Sequence, residues 1–503
     1  MKTCLIESTK ISRRSFLQAL GALTLSGSLA ACGGTGKAKS DRLAAGNLAY
    51  TPDEVVTVEF SDGGITVSPE EAAGLAVEET ALSVSGAGVY ALSGRCADGS
   101  VKVEAQTEDV VLLLDGLTLT SADTAPIVCG ESTGVTIAVV DGTENTLTDS
   151  EANDPDNAAD NENAEKAVVK CKDGSQVVLC GGGALTVNAR GKNGIKSGTA
   201  LDDRDASLTI RELTLNIEAL VNDAINAEQR LKVESGNLTI AAGEDAIHCD
   251  MELNIGAEGT TGPAITVSTC CEGLEGAVLN IHSGNMDITS TDDCLNAANS
   301  DLGDYAFEMN ISGGTIKAHS SEGDGFDSNG TLTITGGDIS VWTANAADNQ
   351  PLDADGRITI SGGTVLAAGG SAGMGFSISA SQPYVTFGGG RDSSLSLAGG
   401  EAFSIADESG KSVLDSTALC DAAFLFYSSP ALTAEGRYSV QSTVTATAKT
   451  GEADTQFGGN GGPGGSGGQR PDGMTPPDGQ MPQGQPPQSD GTTPPELPAA
   501  SSN

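Results

Sequence analysis

Apolar and polar positions alternate in short bursts along most of this chain, and the bursts recur as one phrase between residues 222 and 356. The phrase is a turn carrying acid or Asn, a β-rich run, a Gly or Asn corner, and a second β-rich run. The turns are Asn222-Asp223-Ala224-Ile225, Glu244-Asp245-Ala246-Ile247, Asp292-Asp293-Cys294-Leu295, Asp324-Gly325-Phe326-Asp327 and Leu352-Asp353-Ala354-Asp355-Gly356. Between them lie runs such as Leu238-Thr239-Ile240, Met286-Asp287-Ile288, Leu332-Thr333-Ile334 and Ile358-Thr359-Ile360. The apolar anchors Ile225, Ile247, Leu274, Leu295, Phe326 and Leu352 are 22, 27, 21, 31 and 26 residues apart. Self-similarity at this period means stacked coils, none of which buries its apolar face alone. The pattern predicts an all-β, single-stranded parallel β-helix.

The same style starts earlier, with Val55-Val56-Thr57-Val58 and Ile65-Thr66-Val67, and continues through Val110 to Leu114 and Val135 to Val140. Residues 149–166 are polar and acidic without a β pattern, and are expected to protrude as a loop on a binding face. After Pro383 the phrase loosens, so a closing cap is expected from about 380 to 447; it shields the unpaired backbone of the last coil. The β-helix is therefore placed at 55–447. Residues 448–503, with GGNGGPGGSGG and then a Pro/Gln/Asp-rich run, are expected as a disordered tail.

The N-terminus reads as a targeting segment. Ser12-Arg13-Arg14-Ser15-Phe16-Leu17 has the twin-arginine form through Arg13 and Arg14, and an apolar run follows from Ala19 to Ala31. Leu29-Ala30-Ala31-Cys32-Gly33 has the form of a lipobox, with Cys32 as the lipidated residue. Residues 1–31 are thus expected to be a lipoprotein signal, 32–54 a tether, and the mature protein to be exported and anchored at the outer face of the cytoplasmic membrane. The membrane would be met only through that lipid.

Composition narrows the choice of partner. The chain has 503 residues, 67 Gly, 3% aromatics and a formal charge of −42, which repels nucleic acid and attracts divalent cations. Apart from Cys4 in the signal and Cys32 in the lipobox, nine of the eleven cysteines remain, an odd number. Free buried thiols are expected rather than disulfides or a zinc centre, since no CxxC pair has His partners.

Stacking gives the acidic turns a possible role. With coils about 4.8 Å apart, Asp223, Asp245, Asp293, Asp324 and Asp353 are expected in one column, with Asp292, Asp327 and Asp355 beside it. Calcium between rungs would relieve the repulsion, and Asn222, Asn296 and Asn329 can add amide oxygens. A solvated acidic edge is the alternative, because no turn matches an EF-hand loop.

The phrases VLLLDGLTLTSADTAPIVCGESTGVTIAVVDGTENTLTDS at 111–150, GGGALTVNARGKNGIKSG at 181–198 and NDAINAEQRLKVESGNLTIAAGEDAIHCD at 222–250 carry a resemblance. So do DGFDSNGTLTITGGDISV at 324–341 and FLFYSSPALTAEGRYSV at 424–440. Over about 55–447 the chain resembles bacterial carbohydrate-binding domain-containing β-helix proteins, relatives of pectate lyases. The resemblance implies a right-handed β-helix, bound Ca²⁺, and binding of plant cell-wall polysaccharide, acidic pectin-type chains (polygalacturonate) among them. One departure is Glu272-Gly273-Leu274, which has no Asp and puts calcium at that coil in doubt.

Three functions follow as expectations. The first is a monomeric, non-catalytic binder in which calcium bridges protein and sugar carboxylates; neutral, cellulose-type chains would instead need stacking rings such as Trp342 and Tyr305. Trp342 reads equally well as a core residue. The second is a pectate lyase, needing calcium and a basic side chain drawn from Lys192, Lys196, Arg204, Arg230, Lys232 or Arg357. Each of these also reads as an ordinary surface charge. The third is a structural adhesin. His248, His282 and His319 read as ordinary strand or corner residues.

Overall fold

The computed structural model describes residues 43–454, except 300–301, 303–304, 345–348, 371–376 and 390–394. The signal features Arg13, Arg14 and Cys32 and the tail beyond 454 lie outside the described residues. The described chain is all-β: a single 34-stranded sheet carries most strands, and the helical segments are three-residue 3-10 turns.

From Ile127 to Gly369, consecutive strands do not pair with each other but with strands a full phrase away, in parallel. Three ladders result. The first runs through Ile127–Cys129, Ala167–Cys171, Asn193–Ser197, Ile225–Ala227, Ile247–Cys249, Leu274–Gly276, Leu295–Ala297 and Phe326–Ser328, and ends in a bridge to Leu352. The second includes Gly134–Val139, Gln176–Gly181, Ser207–Ile210, Arg230–Val233 and Glu308–Ile311. The third includes Glu144–Thr148, Ala184–Asn188, Thr214–Ala219, Asn237–Ala242, Asn285–Ser290 and Asp338–Thr343.

Side chains alternate between faces along a strand, so parallel, in-register pairing stacks like on like. The first ladder stacks Ile195, Ile225, Ile247, Leu274, Leu295, Phe326 and Leu352 one above another, all fully buried. The second does the same with Leu179, Ile210, Val233, Ile255, Ile281, Ile311 and Ile334. Each buried Leu or Ile contributes about 1.5–3 kcal/mol, and one continuous core holds both columns. Gly325 marks how closely the coils approach: a Cβ there would lie 2.3 Å from Val341 Cγ2 and 2.4 Å from the Pro351 carbonyl.

Towards the C-terminus the pairing changes to antiparallel. Ala402–Asp407, Ser412–Thr417, Arg437–Val440 and Val444–Thr447 form an antiparallel four-stranded sheet. Phe424–Ser428 pairs antiparallel with Thr364–Gly369, ending the parallel run. Two boundaries differ from expectation. The tether assigned to 32–54 is ordered from Leu43: Leu43–Ala45 and Leu48–Tyr50 form a hairpin packed on Ala91, Leu113 and Ala138. Short apolar pieces flanking Gly46-Asn47 suffice for this, because the outer faces of early coils are themselves apolar. The tail assigned to 448–503 begins later, since Lys449–Asp454 pairs antiparallel with Ser377–Gly388.

Residues 149–166 form no strand, as expected, but they are anchored. Asn153 is fully buried and donates from Nδ2 to Asp149 Oδ2 and to the Ala167 carbonyl, both at 2.9 Å. No disulfide joins the nine cysteines of the described residues, and eight of them are buried.

Removing the largest ring of the anchor column tests its weight. Phe326→Ala should lower stability by about 3–5 kcal/mol in urea unfolding. Leu220→Ala, at a side chain 50% exposed, should shift it by no more than about 0.5 kcal/mol.

Candidate functional site

The first ladder fixes a frame for the acidic turns. Two residues before each anchor stand Asn193, Asp223, Asp245, Glu272, Asp293, Asp324 and Gln350; one residue after stand Lys196, Asn226, His248, Glu275, Asn296, Asp327 and Asp353. These are two neighbouring columns on one ridge. The expected single column needs correction: Asp353 belongs to the second, stacked on Asp327, and Gln350 takes its place in the first. Leu352-Asp353 follows an anchor where the other turns precede one, so matching turns by eye slips the register by three residues.

The first column is stitched by backbone donors. The Asp245 N–H donates to Asp223 Oδ1 at 3.2 Å, the Glu272 N–H to Asp245 Oδ1 at 3.3 Å, and the Asp324 N–H to Asp293 Oδ1 at 2.6 Å. The Gln350 N–H donates to Asp324 Oδ1. Asp223, itself buried, also accepts from Asn226 Nδ2 at 2.7 Å. The coil with Glu272 therefore continues the column with Glu in place of Asp.

Such a column is electrostatically expensive. Two unit charges one ladder spacing apart repel by roughly 3 kcal/mol at an effective dielectric of about 20. A hydrogen bond to a charged group returns about 1.5–3 kcal/mol. One donor per carboxylate, from the backbone or at Glu272 from Asn296 Nδ2, thus offsets about one neighbour, and each inner rung has two. Burial and these neighbours push Asp293 up to about 8, Asp324 to about 7 and Asp327 to about 6. Glu272 is raised to about 9 by burial, Glu275 and Asp245.

At the Asp324 end, ligand oxygens of Asp324, Asp327 and Asp353 all lie within 4.8 Å of one another. Asp292 and Asp355 crowd this group, and the charge of each raises Asp327. Among the described residues no Lys, Arg or His forms an ion pair with any of the five. Gln350 Oε1, on this ridge, is a buried oxygen without a hydrogen-bond partner. Carboxylates plus an orphaned amide oxygen are the hard donor set that calcium takes, so the residues fit that ion. Asp324, Asp327 and Asp353 would hold it.

At the other end the ridge carries its own cation. His248 Nδ1 lies 3.1 Å from Asp245 Oδ2 and against Glu275 Oε2, and Nε2 lies 2.8 Å from Asp250 Oδ1. Burial alone would lower this imidazole, but the three carboxylates hold it well above its usual range. Burial raises Asp245 to about 7. Expecting His248 to be an ordinary corner residue missed this cluster. The anchor frame finds it, because His248 and Glu275 sit one residue after Ile247 and Leu274.

Other expected residues lie elsewhere. Asn222 Nδ2 donates to Asn193 Oδ1 at 2.7 Å, beside the first column. Asn329 is exposed and outside the three-carboxylate group. Trp342 is fully buried, edge-on to Phe403 at 6.0 Å, with Nε1 donating to Ser340 Oγ at 2.9 Å. Its ring cannot stack on a glycan, which corrects its assignment as a ligand-binding residue. The six basic candidates are all in ion pairs: Lys192 with Asp156, Lys196 with Glu228, Arg204 with Glu108, Arg230 with Asp205, Lys232 with Glu234 and Arg357 with Glu452.

The family model for carbohydrate-binding domain-containing proteins matches residues 78–374, which contain both acidic columns. The chain belongs to that family. A carbohydrate-binding domain-containing protein of Acetivibrio thermocellus is 29% identical over 184 residues, covering 36% of this chain. The match spans 60% of that relative's length. A solved polysaccharide lyase-like protein from C. thermocellum, a gadolinium derivative, is 23% identical, with 62% of this chain and 93% of that one covered and a TM-score of 0.31. In this family member the matched segment and the acidic ridge coincide.

The raised carboxylates give a signed pH dependence. Asp293 binds its proton more tightly folded, at about 8, than at its ordinary 3.8. Its contribution is full below about pH 4 and is lost as pH rises through 8. In EDTA the melting temperature should therefore fall from pH 5 to pH 8, and Asp293→Asn should flatten that fall.

Proposed function

We propose that this protein is a non-catalytic, cell-surface lipoprotein that binds acidic, pectin-type polysaccharide through calcium. The observation carrying the proposal is the Asp324, Asp327 and Asp353 group, three mutually close carboxylates with no basic partner among the described residues. Membership of a carbohydrate-binding family supplies the class of ligand. A strongly negative protein repels polygalacturonate; a calcium ion at this group, when bound, offers positions that sugar carboxylates can fill. The protein residues hold the charge in place and fix its height along the ridge.

The architecture behind this reading is a right-handed, single-stranded parallel β-helix, supported by the three parallel ladders. Its regular rise presents the ridge as a straight track suited to an extended chain. Burial of Trp342 removes the best stacking platform for neutral, cellulose-type glucans. The ion-paired state of the basic side chains favours binding over lyase chemistry, which needs a free base close to the metal. Export through the twin-arginine segment, anchoring by Cys32 and a monomeric state complete the proposal.

Retention on immobilised polygalacturonate, with and without EDTA, tests it. Wild-type protein should be retained with calcium and released by chelator. Asp324→Asn and Asp327→Asn should each weaken retention at least about tenfold, equivalent to 1.4 kcal/mol. Retention indifferent to both chelator and these substitutions would refute the calcium bridge.

A further inference from the structure

The ridge holds a second cluster whose donor set differs in kind from the all-oxygen group. Donor atoms of Asp245, His248 and Glu275 lie within 4.8 Å of one another, on two successive rungs of the first ladder. Two carboxylate oxygens, from Asp245 and Glu275, converge on His248 Nδ1. That nitrogen carries at most one proton, which the two oxygens would have to share. Across the ring, Nε2 faces Asp250 Oδ1 at 2.8 Å. A carboxylate accepting from one ring nitrogen fixes the tautomer that turns the other nitrogen's lone pair towards the converging oxygens, the arrangement found behind metal-bound histidines.

Asn296 is the independent observation. It stacks directly on Glu275 and is anchored beside the cluster by Nδ2, which donates to Glu272 Oε2 at 2.9 Å. The residue is only 7% exposed, and its Oδ1 is buried with no partner. A buried amide oxygen left unpaired costs about 1–3 kcal/mol. It therefore points to a positively charged ligand at this height of the ridge.

We propose that Asp245, His248 and Glu275 form a binding site for a borderline divalent cation of the zinc class, oriented from behind by Asp250. Imidazole nitrogen suits zinc, cobalt and nickel, whereas calcium prefers oxygen throughout. The site is distinct from the proposed calcium group: Glu275 and Asp327 are two ladder spacings apart, about 10 Å. The imidazolium and the metal are alternative occupants, since the same lone pair serves either. One ridge then carries two kinds of cation, one held by nitrogen and oxygen, the other by oxygen alone.

The test is cobalt titration of the tag-free, metal-free full chain, followed by visible absorption and calorimetry, with millimolar calcium present throughout. One equivalent of Co²⁺ should bind despite the calcium, with an imidazole-ligated spectrum, and Zn²⁺ should displace it. His248→Gln should abolish that spectrum and Glu275→Gln should weaken binding at least tenfold, with circular dichroism confirming the fold of each. Asp327→Asn should leave cobalt binding intact while lowering calcium-dependent polygalacturonate retention, which separates failure of this site from failure of the calcium group. Absence of binding, displacement of cobalt by calcium, or a spectrum unchanged in both His248→Gln and Glu275→Gln would overturn the proposal. The wild-type competition decides the matter even if the variants do not fold.

Discussion

In-register parallel stacking is the constraint from which the rest of this structure follows. Every backbone rung hydrogen-bonds to the next coil, so a residue's position relative to its anchor fixes its height and face. Inward, the rule stacks aliphatic side chains into continuous buried columns. Outward, the same rule leaves no freedom to separate like charges. Asp223, Asp245, Glu272, Asp293 and Asp324 are neighbours because the Ile225 to Phe326 column puts them there.

The ridge answers its own repulsion in two ways. Backbone N–H groups from the next coil reach back to Asp223, Asp245, Asp293 and Asp324, and this offsets part of the cost at those rungs. The remainder is met differently at the two ends. Near Ile247 a histidine stands among three carboxylates, whereas near Phe326 no side-chain cation is present among the described residues. A proton or a bound ion must fill that role, and the upward shifts at Asp293 and Asp324 express the same physics.

The ends of the stack obey a different rule. A parallel ladder exposes unpaired backbone at its last rung, and here the exposed groups are taken up by antiparallel strands, Phe424–Ser428 on one coil and Lys449–Asp454 on another. The hairpin of Leu43–Ala45 and Leu48–Tyr50 covers an apolar outer patch near the start. Both segments lack the repeat phrase, since antiparallel pairing imposes no such period. Reading the repeat alone therefore places the edges of the ordered region several residues too far inward.

The sequence by itself determined the class of fold, the spacing of the anchors and the concentration of acid beside them. Local alternation and a period of 21 to 31 residues are written in the chain. Only the tertiary structure decided which acids meet. Coil lengths vary because corners and loops differ, so register is settled by backbone pairing and the fit of anchors such as Phe326 on Leu295. That pairing moved Asp353 into the second column, brought Glu272, Glu275 and His248 into the ridge, and buried Trp342 against Phe403. A carboxylate's neighbour lies a whole coil away along the chain, and no local pattern records that distance.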